Sequence, residues 1–110
     1  MTTVHLTSAD LRAPLGERAT VVQFSSTFCA PCRSTRYVAE RAVATTDGVA
    51  YVDLDVADHL ELGERLGIDV TPTILVLDAS GGVVRRASGV PTLAQLRSAL
   101  DSASSVGSSA

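Results

Sequence analysis

The chain has 110 residues, enough for one domain with a single hydrophobic core; 45% of its residues are hydrophobic and 19% are charged, which excludes a disordered chain. Its net charge of −3 predicts no basic surface for nucleic acid, so we expect no nucleic-acid partner. No apolar run is long enough for a membrane span, and the N-terminus lacks a signal-peptide pattern, so we expect a cytoplasmic protein.

Short apolar stretches alternate with helical patterns along the chain. The predicted elements are, in chain order, a strand at 3–6, a helix at 8–13, a strand at 20–25, a helix from 30 to about 46, a strand at 49–55, a helix at 56–68, strands at 73–78 and 83–88, and a helix from 92 to about 102. Thr7 with Asp10, and Thr92 with Gln95, have the spacing of a helix-starting capping box. Within 56–68, the pattern places Leu60, Leu62 and Leu66 on the inward face.

The order βαβαβαββα predicts an α/β fold. Three parallel strands joined by helical crossovers, followed by an antiparallel hairpin, would form a central mixed five-stranded sheet with helices on both faces. We expect one domain over residues 1–103 and a flexible polar tail, SSVGSSA, over 104–110.

The only two cysteines, Cys29 and Cys32, fall at the turn from the second strand into the second helix. Cys29 is expected at the helix N-cap, where unpaired N–H groups and the helix dipole stabilise a thiolate and lower the pKa of the thiol. Cys32 lies one turn further on, within reach of a disulfide. Pro31 fits the first turn, where the helix leaves an N–H unpaired in any case. This division predicts that Cys29 attacks a substrate disulfide and that the more buried Cys32 resolves the mixed disulfide.

Two other readings of the cysteine pair are open. A structural zinc site needs four ligands, and the chain offers only this pair with the isolated His5 and His59, so we expect no metal site. Two buried, unreactive cysteines are the remaining reading. A Cys-x-Pro-Cys sequence at a strand-to-helix turn favours redox chemistry over both.

The segment VVQFSSTFCAPCRS resembles the active-site segment of the thioredoxins, in which an apolar strand leads to C-G-P-C and a basic residue. VAYVDLD resembles that family's third strand, and LGIDVTPTILVLDASGGVV resembles its G-I-x-x-x-P-T segment, apolar strand and glycine turn. The resemblance extends over residues 3 to about 103 and implies the thioredoxin fold.

The resemblance also implies a substrate-binding surface. Pro72 would follow a cis peptide bond beside the sulfurs, and Thr71 would offer its backbone to an extended substrate segment. The residues implied in this surface are Phe28, Ala30, Pro31, Val70, Thr71, Pro72, Gly89 and Val90. For Val70, ordinary packing is an alternative.

Four positions depart from the family pattern. Gln23 stands where thioredoxins carry a buried Asp that helps the second thiol to attack, and Tyr51 replaces the accompanying lysine. The two changes together replace a charge pair by neutral groups, which avoids leaving one buried ion unpaired. Phe28 replaces a Trp before the first Cys, and Ser25 replaces a Trp at the strand end. Gln23 is therefore a candidate tuning residue.

The function predicted is that of a thioredoxin-like thiol-disulfide oxidoreductase, which reduces protein disulfides through Cys29 and Cys32. The redox-active disulfide is the reactive group, so no bound cofactor is expected. An NADPH-dependent flavoprotein reductase would supply electrons in trans, and we expect a monomer. The alternatives are a binding or adapter module with slow redox chemistry, and a disulfide oxidase or isomerase.

Overall fold

A computed structural model describes residues 4–108 of the chain. Its elements are, in chain order, α1 (Ser8–Leu11), β1 (Ala19–Ser25), α2 (Ala30–Ala44), β2 (Val49–Asp55), a 3-10 turn (Val56–Asp58), α3 (Leu60–Arg65), β3 (Thr73–Asp78), β4 (Val83–Ser88) and α4 (Leu93–Ser108). The strands form one mixed sheet in the order β2-β1-β3-β4. Strand β1 is parallel to β2 and antiparallel to β3, and β3 is antiparallel to β4.

The predicted α/β thioredoxin fold is confirmed, but the prediction of five strands is wrong for the described residues, which contain four. Residue 3 of the predicted first strand lies outside them, and the following residues form one antiparallel bridge, His5 with Gly82. On its C-terminal side this segment ends at Thr7, which is the N-cap of α1. Of the three strands predicted to be parallel, β1 and β2 are so paired, but the first forms only the antiparallel bridge, so that prediction is wrong for the described residues. The predicted antiparallel hairpin is present as β3 and β4.

Both faces of the sheet are covered, because the side chains of its central strands alternate between two apolar clusters. One cluster packs with α1 and α3 and contains Val22, Phe24, Val52, Leu54, Leu62, Leu75 and Leu77. The other packs with α2 and α4 and contains Ala19, Val21, Ala39, Ala42, Ile74, Val76, Leu96 and Leu100. All seven residues of β1 are buried, as expected for a central strand.

Two helix predictions needed correction. The helix predicted over 56–68 is divided into the 3-10 turn and α3, and Leu60 is 68% exposed although Leu62 is buried. Residues two apart in a helix do not share a face, so α3 buries only one of them. Helix α4 continues to Ser108, beyond the predicted end near Ser102, and Ala103, just past that end, is fully buried. The division between a domain over 1–103 and a tail over 104–110 stays a prediction.

One edge of the sheet gathers three chain segments. Phe24 near the end of β1 is paired with Thr73 at the start of β3, and Thr73 is paired with Ser88 at the end of β4. The loops after β1, before β3 and after β4 therefore lie at the same edge.

Candidate active site

The two cysteines lie at this edge, at the start of α2. Cys29 is the N-cap of the helix, as predicted, and Pro31 lies in its first turn. The pair forms a disulfide with 5.2 Å between the Cα atoms. Cys29 is partly exposed, whereas Cys32 is only 1% exposed. The backbone N–H of Cys32 donates to Cys29 Sγ over 3.1 Å, so one of the otherwise unpaired donors at the helix start points at the more accessible sulfur.

Phe28, immediately before Cys29, projects from the surface. Its side chain is 99% exposed, and its backbone has a φ of 57°, in the left-handed region that glycine tolerates best. An exposed aromatic ring on such a backbone gains no packing energy within the chain. Packing within the chain therefore does not explain its placement, and its role in substrate binding stays a prediction.

Hydrogen bonds join the three loops at this edge. The hydroxyls of Ser26 and Thr71 lie 2.7 Å apart, which links the loop after β1 to the loop before β3. Gly89 N–H donates to Pro72 O over 3.1 Å, which links that loop to the segment after β4. The Thr71–Pro72 peptide bond is cis, as the resemblance implied.

The residues predicted for the substrate-binding surface come from these three loops and the first turn of α2. Those exposed to solvent are Phe28, Ala30, Pro31, Val70, Gly89 and Val90. Thr71 is partly buried, and Pro72 is buried. The predicted surface thus has an exposed part and a buried base at Pro72, and its role in binding stays a prediction.

Gln23 lies beneath the disulfide and is completely buried. Its Nε2 donates to Cys32 O over 2.9 Å and to Ser25 Oγ over 3.0 Å, and its Oε1 accepts from Tyr51 OH over 2.6 Å. The amide thus uses both hydrogens and its oxygen. The two residues that replace the family's charge pair, Gln23 and Tyr51, are in direct contact here.

The polar contacts continue from Ser25 to the surface. Ser25 Oγ donates to Asp53 Oδ1 over 2.6 Å, and Arg36 Nε donates to Asp53 Oδ2 over 2.7 Å. We call Gln23, Tyr51, Ser25, Asp53 and Arg36 together the Gln23 network. No sequence pattern predicted a role for Asp53 or Arg36, although the two-residue period of strands places positions 23 and 25 on one face.

Burial and charge explain the pKa shifts in this network. Burial, reinforced by the charge of Asp53, raises the pKa of Tyr51, so its hydroxyl stays protonated and available as a donor. The hydrogen bond to Asp53 raises the pKa of Arg36.

Within residues 4–108, no group of three or more His, Cys, Asp or Glu side chains is arranged to hold a metal ion. Among the helices of the same residues, none has the length and apolar character that a membrane span requires.

Comparison with known proteins identifies the family. The thioredoxin family model matches residues 2–102. A thioredoxin of Alicyclobacillus acidocaldarius subsp. acidocaldarius is 32% identical over 100 residues, which span 89% of this chain and 94% of that protein.

Solved structures agree with this fold. Chloroplastic thioredoxin z is 22% identical with a TM-score of 0.76, over 96% of this chain and 97% of that one. Spinach chloroplast thioredoxin f, in its short form, is 26% identical with a TM-score of 0.69, over 80% of this chain and 78% of that one. With its Cys29–Cys32 disulfide at the start of α2, the chain belongs to the thioredoxin family and has the redox-active cysteine pair of a thiol-disulfide oxidoreductase.

Proposed function

We propose that this protein reduces disulfide bonds in protein substrates, with Cys29 as the nucleophile and Cys32 as the resolving thiol. The observation that carries the proposal is the unequal placement of the two sulfurs. Cys29 is accessible and caps a helix, whereas Cys32 is buried one turn further on. A substrate sulfur can reach the first position and not the second.

The reaction proceeds in two exchanges. The Cys29 thiolate attacks one sulfur of the substrate disulfide, forms a mixed disulfide and releases the other substrate sulfur as a thiolate, which takes up a proton. Cys32, after losing its proton, attacks Cys29 Sγ, so the Cys29–Cys32 disulfide forms and the second substrate thiolate leaves and is protonated. Two electrons pass to the substrate, and an NADPH-dependent flavoprotein reductase would return two in trans.

The substrate would dock on the surface formed by Phe28, Ala30, Pro31, Thr71, Pro72, Gly89 and Val90. The three loops that carry these residues are linked by hydrogen bonds, which supports their acting as one surface. Its exposed members are mainly apolar, so an extended substrate segment with apolar side chains near its cystine fits best. We place this activity in the cytoplasm, because a cytosolic redox poise favours reduction. We also propose that the protein acts as a monomer.

An insulin-reduction assay with a thioredoxin reductase and NADPH tests the proposal. Wild-type protein should support NADPH oxidation and insulin reduction, and Cys29→Ser should abolish both. Cys32→Ser keeps the nucleophile, so it should accumulate a covalent mixed disulfide with insulin that dithiothreitol releases. A wild type no faster than Cys29→Ser would contradict the proposal.

The second candidate is an adapter that binds partners through the same surface. Gln23 favours it, because the buried position that would hold a proton-accepting carboxylate holds a fully hydrogen-bonded amide. An adapter predicts that Cys29→Ser still binds the partner with unchanged affinity, and that no mixed disulfide forms with Cys32→Ser.

A further inference from the structure

The Gln23 network connects a surface ion pair to the backbone of the resolving cysteine. It begins at Arg36 and Asp53, passes through Ser25 to Gln23, and ends at Cys32 O, with Tyr51 as a side branch. Gln23 and Ser25 are buried, whereas Arg36 and Asp53 are partly exposed. The reaction as described above uses none of Arg36, Asp53 and Ser25.

The direction of each hydrogen bond follows from the charge of Asp53. A carboxylate can only accept hydrogen bonds, and the carboxylate of Asp53 forms an ion pair with Arg36. Ser25 must therefore give its single hydroxyl hydrogen to Asp53. Towards Gln23, Ser25 can then act only as an acceptor.

This requirement fixes the amide of Gln23. Its Nε2, and not its Oε1, must face Ser25, and the second hydrogen of Nε2 then reaches Cys32 O over 2.9 Å. Oε1 turns the other way and accepts from Tyr51 OH. The positive end of the amide dipole thus lies against the backbone carbonyl of Cys32.

We propose that Asp53 is a positioning residue for the resolving step: acting through Ser25, it holds the positive end of the Gln23 amide towards Cys32. Negative charge develops on Cys32 when it loses its proton and attacks Cys29 Sγ, and a dipole of this orientation stabilises that charge. This inference rests on the proposed function, because it assumes that Cys32 resolves a mixed disulfide.

Asp53→Asn should reverse the direction of the hydrogen bonds in the Gln23 network while keeping the size of the side chain. If the single oxygen of the new amide accepts from Arg36, its NH2 group faces Ser25 and donates to it. The Ser25 hydroxyl then donates to Gln23, which must turn Oε1 towards Ser25 and therefore towards Cys32 O. Two buried acceptors would face each other, and the negative end of the dipole would lie against Cys32.

The two exchange steps can be timed separately with reduced protein and a limiting amount of dithiobis(nitrobenzoate). Attack by Cys29 releases one thionitrobenzoate and leaves the other in a mixed disulfide, and attack by Cys32 releases the second. We expect Asp53→Asn to slow the second release about tenfold, a typical effect for one unsatisfied buried polar group, and to leave the first within about twofold. An unchanged second release would overturn the inference.

Two controls separate this mechanism from a simple change of charge. Glu40→Gln removes one negative charge close to Arg36 and Tyr51 without touching Ser25, and should leave both releases unchanged. Ser25→Ala removes the hydroxyl that links Asp53 to Gln23. Adding Asp53→Asn to this variant should therefore have no further effect on the second release. If Asp53→Asn slows that release equally in the Ser25→Ala background, the effect does not pass through Ser25 and the inference is wrong.

The wild-type protein provides readouts that need no stable variant. In proton NMR spectra, the side-chain amide hydrogens of Gln23 should show nuclear Overhauser contacts to the Ser25 side chain and exchange slowly with water. Contacts to the Tyr51 ring in their place would overturn the inference while leaving the proposed function intact. If the wild type releases only one thionitrobenzoate, Cys32 does not resolve the mixed disulfide, which would contradict both this inference and the proposed function.

Discussion

Tyr51→Phe tests whether Gln23 is anchored as the structure describes. The substitution removes only the hydroxyl that donates to Gln23 Oε1 over 2.6 Å, and Gln23 has no exposed surface. The oxygen is left buried without this donor, which costs about 1–3 kcal/mol in the free energy of unfolding. For a chain of this size, each kcal/mol lowers the melting temperature by roughly 4–8 °C. Urea unfolding of the oxidised protein measures the loss.

The only other tyrosine in the chain, Tyr37, provides a matched control. Tyr37 is 64% exposed and lies under the guanidinium of Arg41, 5.8 Å from the ring centroid. Tyr37→Phe keeps the ring, so its effect should stay within about 0.5 kcal/mol. If Tyr51→Phe costs no more than Tyr37→Phe, Gln23 is not anchored by Tyr51 and the reasoning fails.

The pH dependence of the same pair gives a second check. Because burial raises the pKa of Tyr51 above its ordinary value of 10.0, its contribution to stability is complete below that value. The contribution is lost as the pH rises towards the folded-state pKa. The stability difference between wild type and Tyr51→Phe should therefore narrow above about pH 10, and a constant difference would contradict the assignment.

Three further substitutions test the site and the fold. Gln23→Asp should raise insulin-reducing turnover at neutral pH at least about tenfold, because a carboxylate there can take the proton of Cys32; no change, or a loss, contradicts this. Phe28→Gly should raise KM for insulin several-fold, because the exposed ring is lost. Its free energy of unfolding should stay equal or rise by up to about 1 kcal/mol, because glycine tolerates the positive φ at this position. An unchanged KM would exclude Phe28 from docking. Burial alone would raise the pKa of Asp78, but hydrogen bonds from Ser80 and Gly82 outweigh it and lower that pKa. The contribution of this carboxylate to the free energy of unfolding is therefore complete above about pH 3.8 and is lost as the pH falls below it. Asp78→Asn should flatten this acid limb in urea midpoints measured against pH, and an identical limb would refute the assignment.

Local patterns were enough to predict most elements of the fold. Strands 49–55, 73–78 and 83–88 have the predicted bounds, and both capping boxes are present at Thr7 and Thr92. The position of Cys29 at the N-cap was also predictable, because a strand followed by a helix leaves few choices for the residue between them. These features depend on neighbours in the chain.

Features that depend on distant residues were not predictable. The contacts of Gln23 with Tyr51 and of Ser25 with Asp53 follow from the register of β1 on β2, which places Gln23 opposite Asp53. No local pattern gives that register. The same limit explains the error in strand count, since the bridge of His5 with Gly82 depends on how residues 81 and 82 approach the start of the chain.

The reduction potential of the Cys29–Cys32 pair tests the proposed reductase function most directly. It can be measured by equilibrating the protein in glutathione buffers and quantifying the dithiol form. A reductase should give a potential below about −230 mV, near the about −270 mV of a thioredoxin. A potential above about −180 mV, in the range of disulfide isomerases and oxidases, would contradict the proposal.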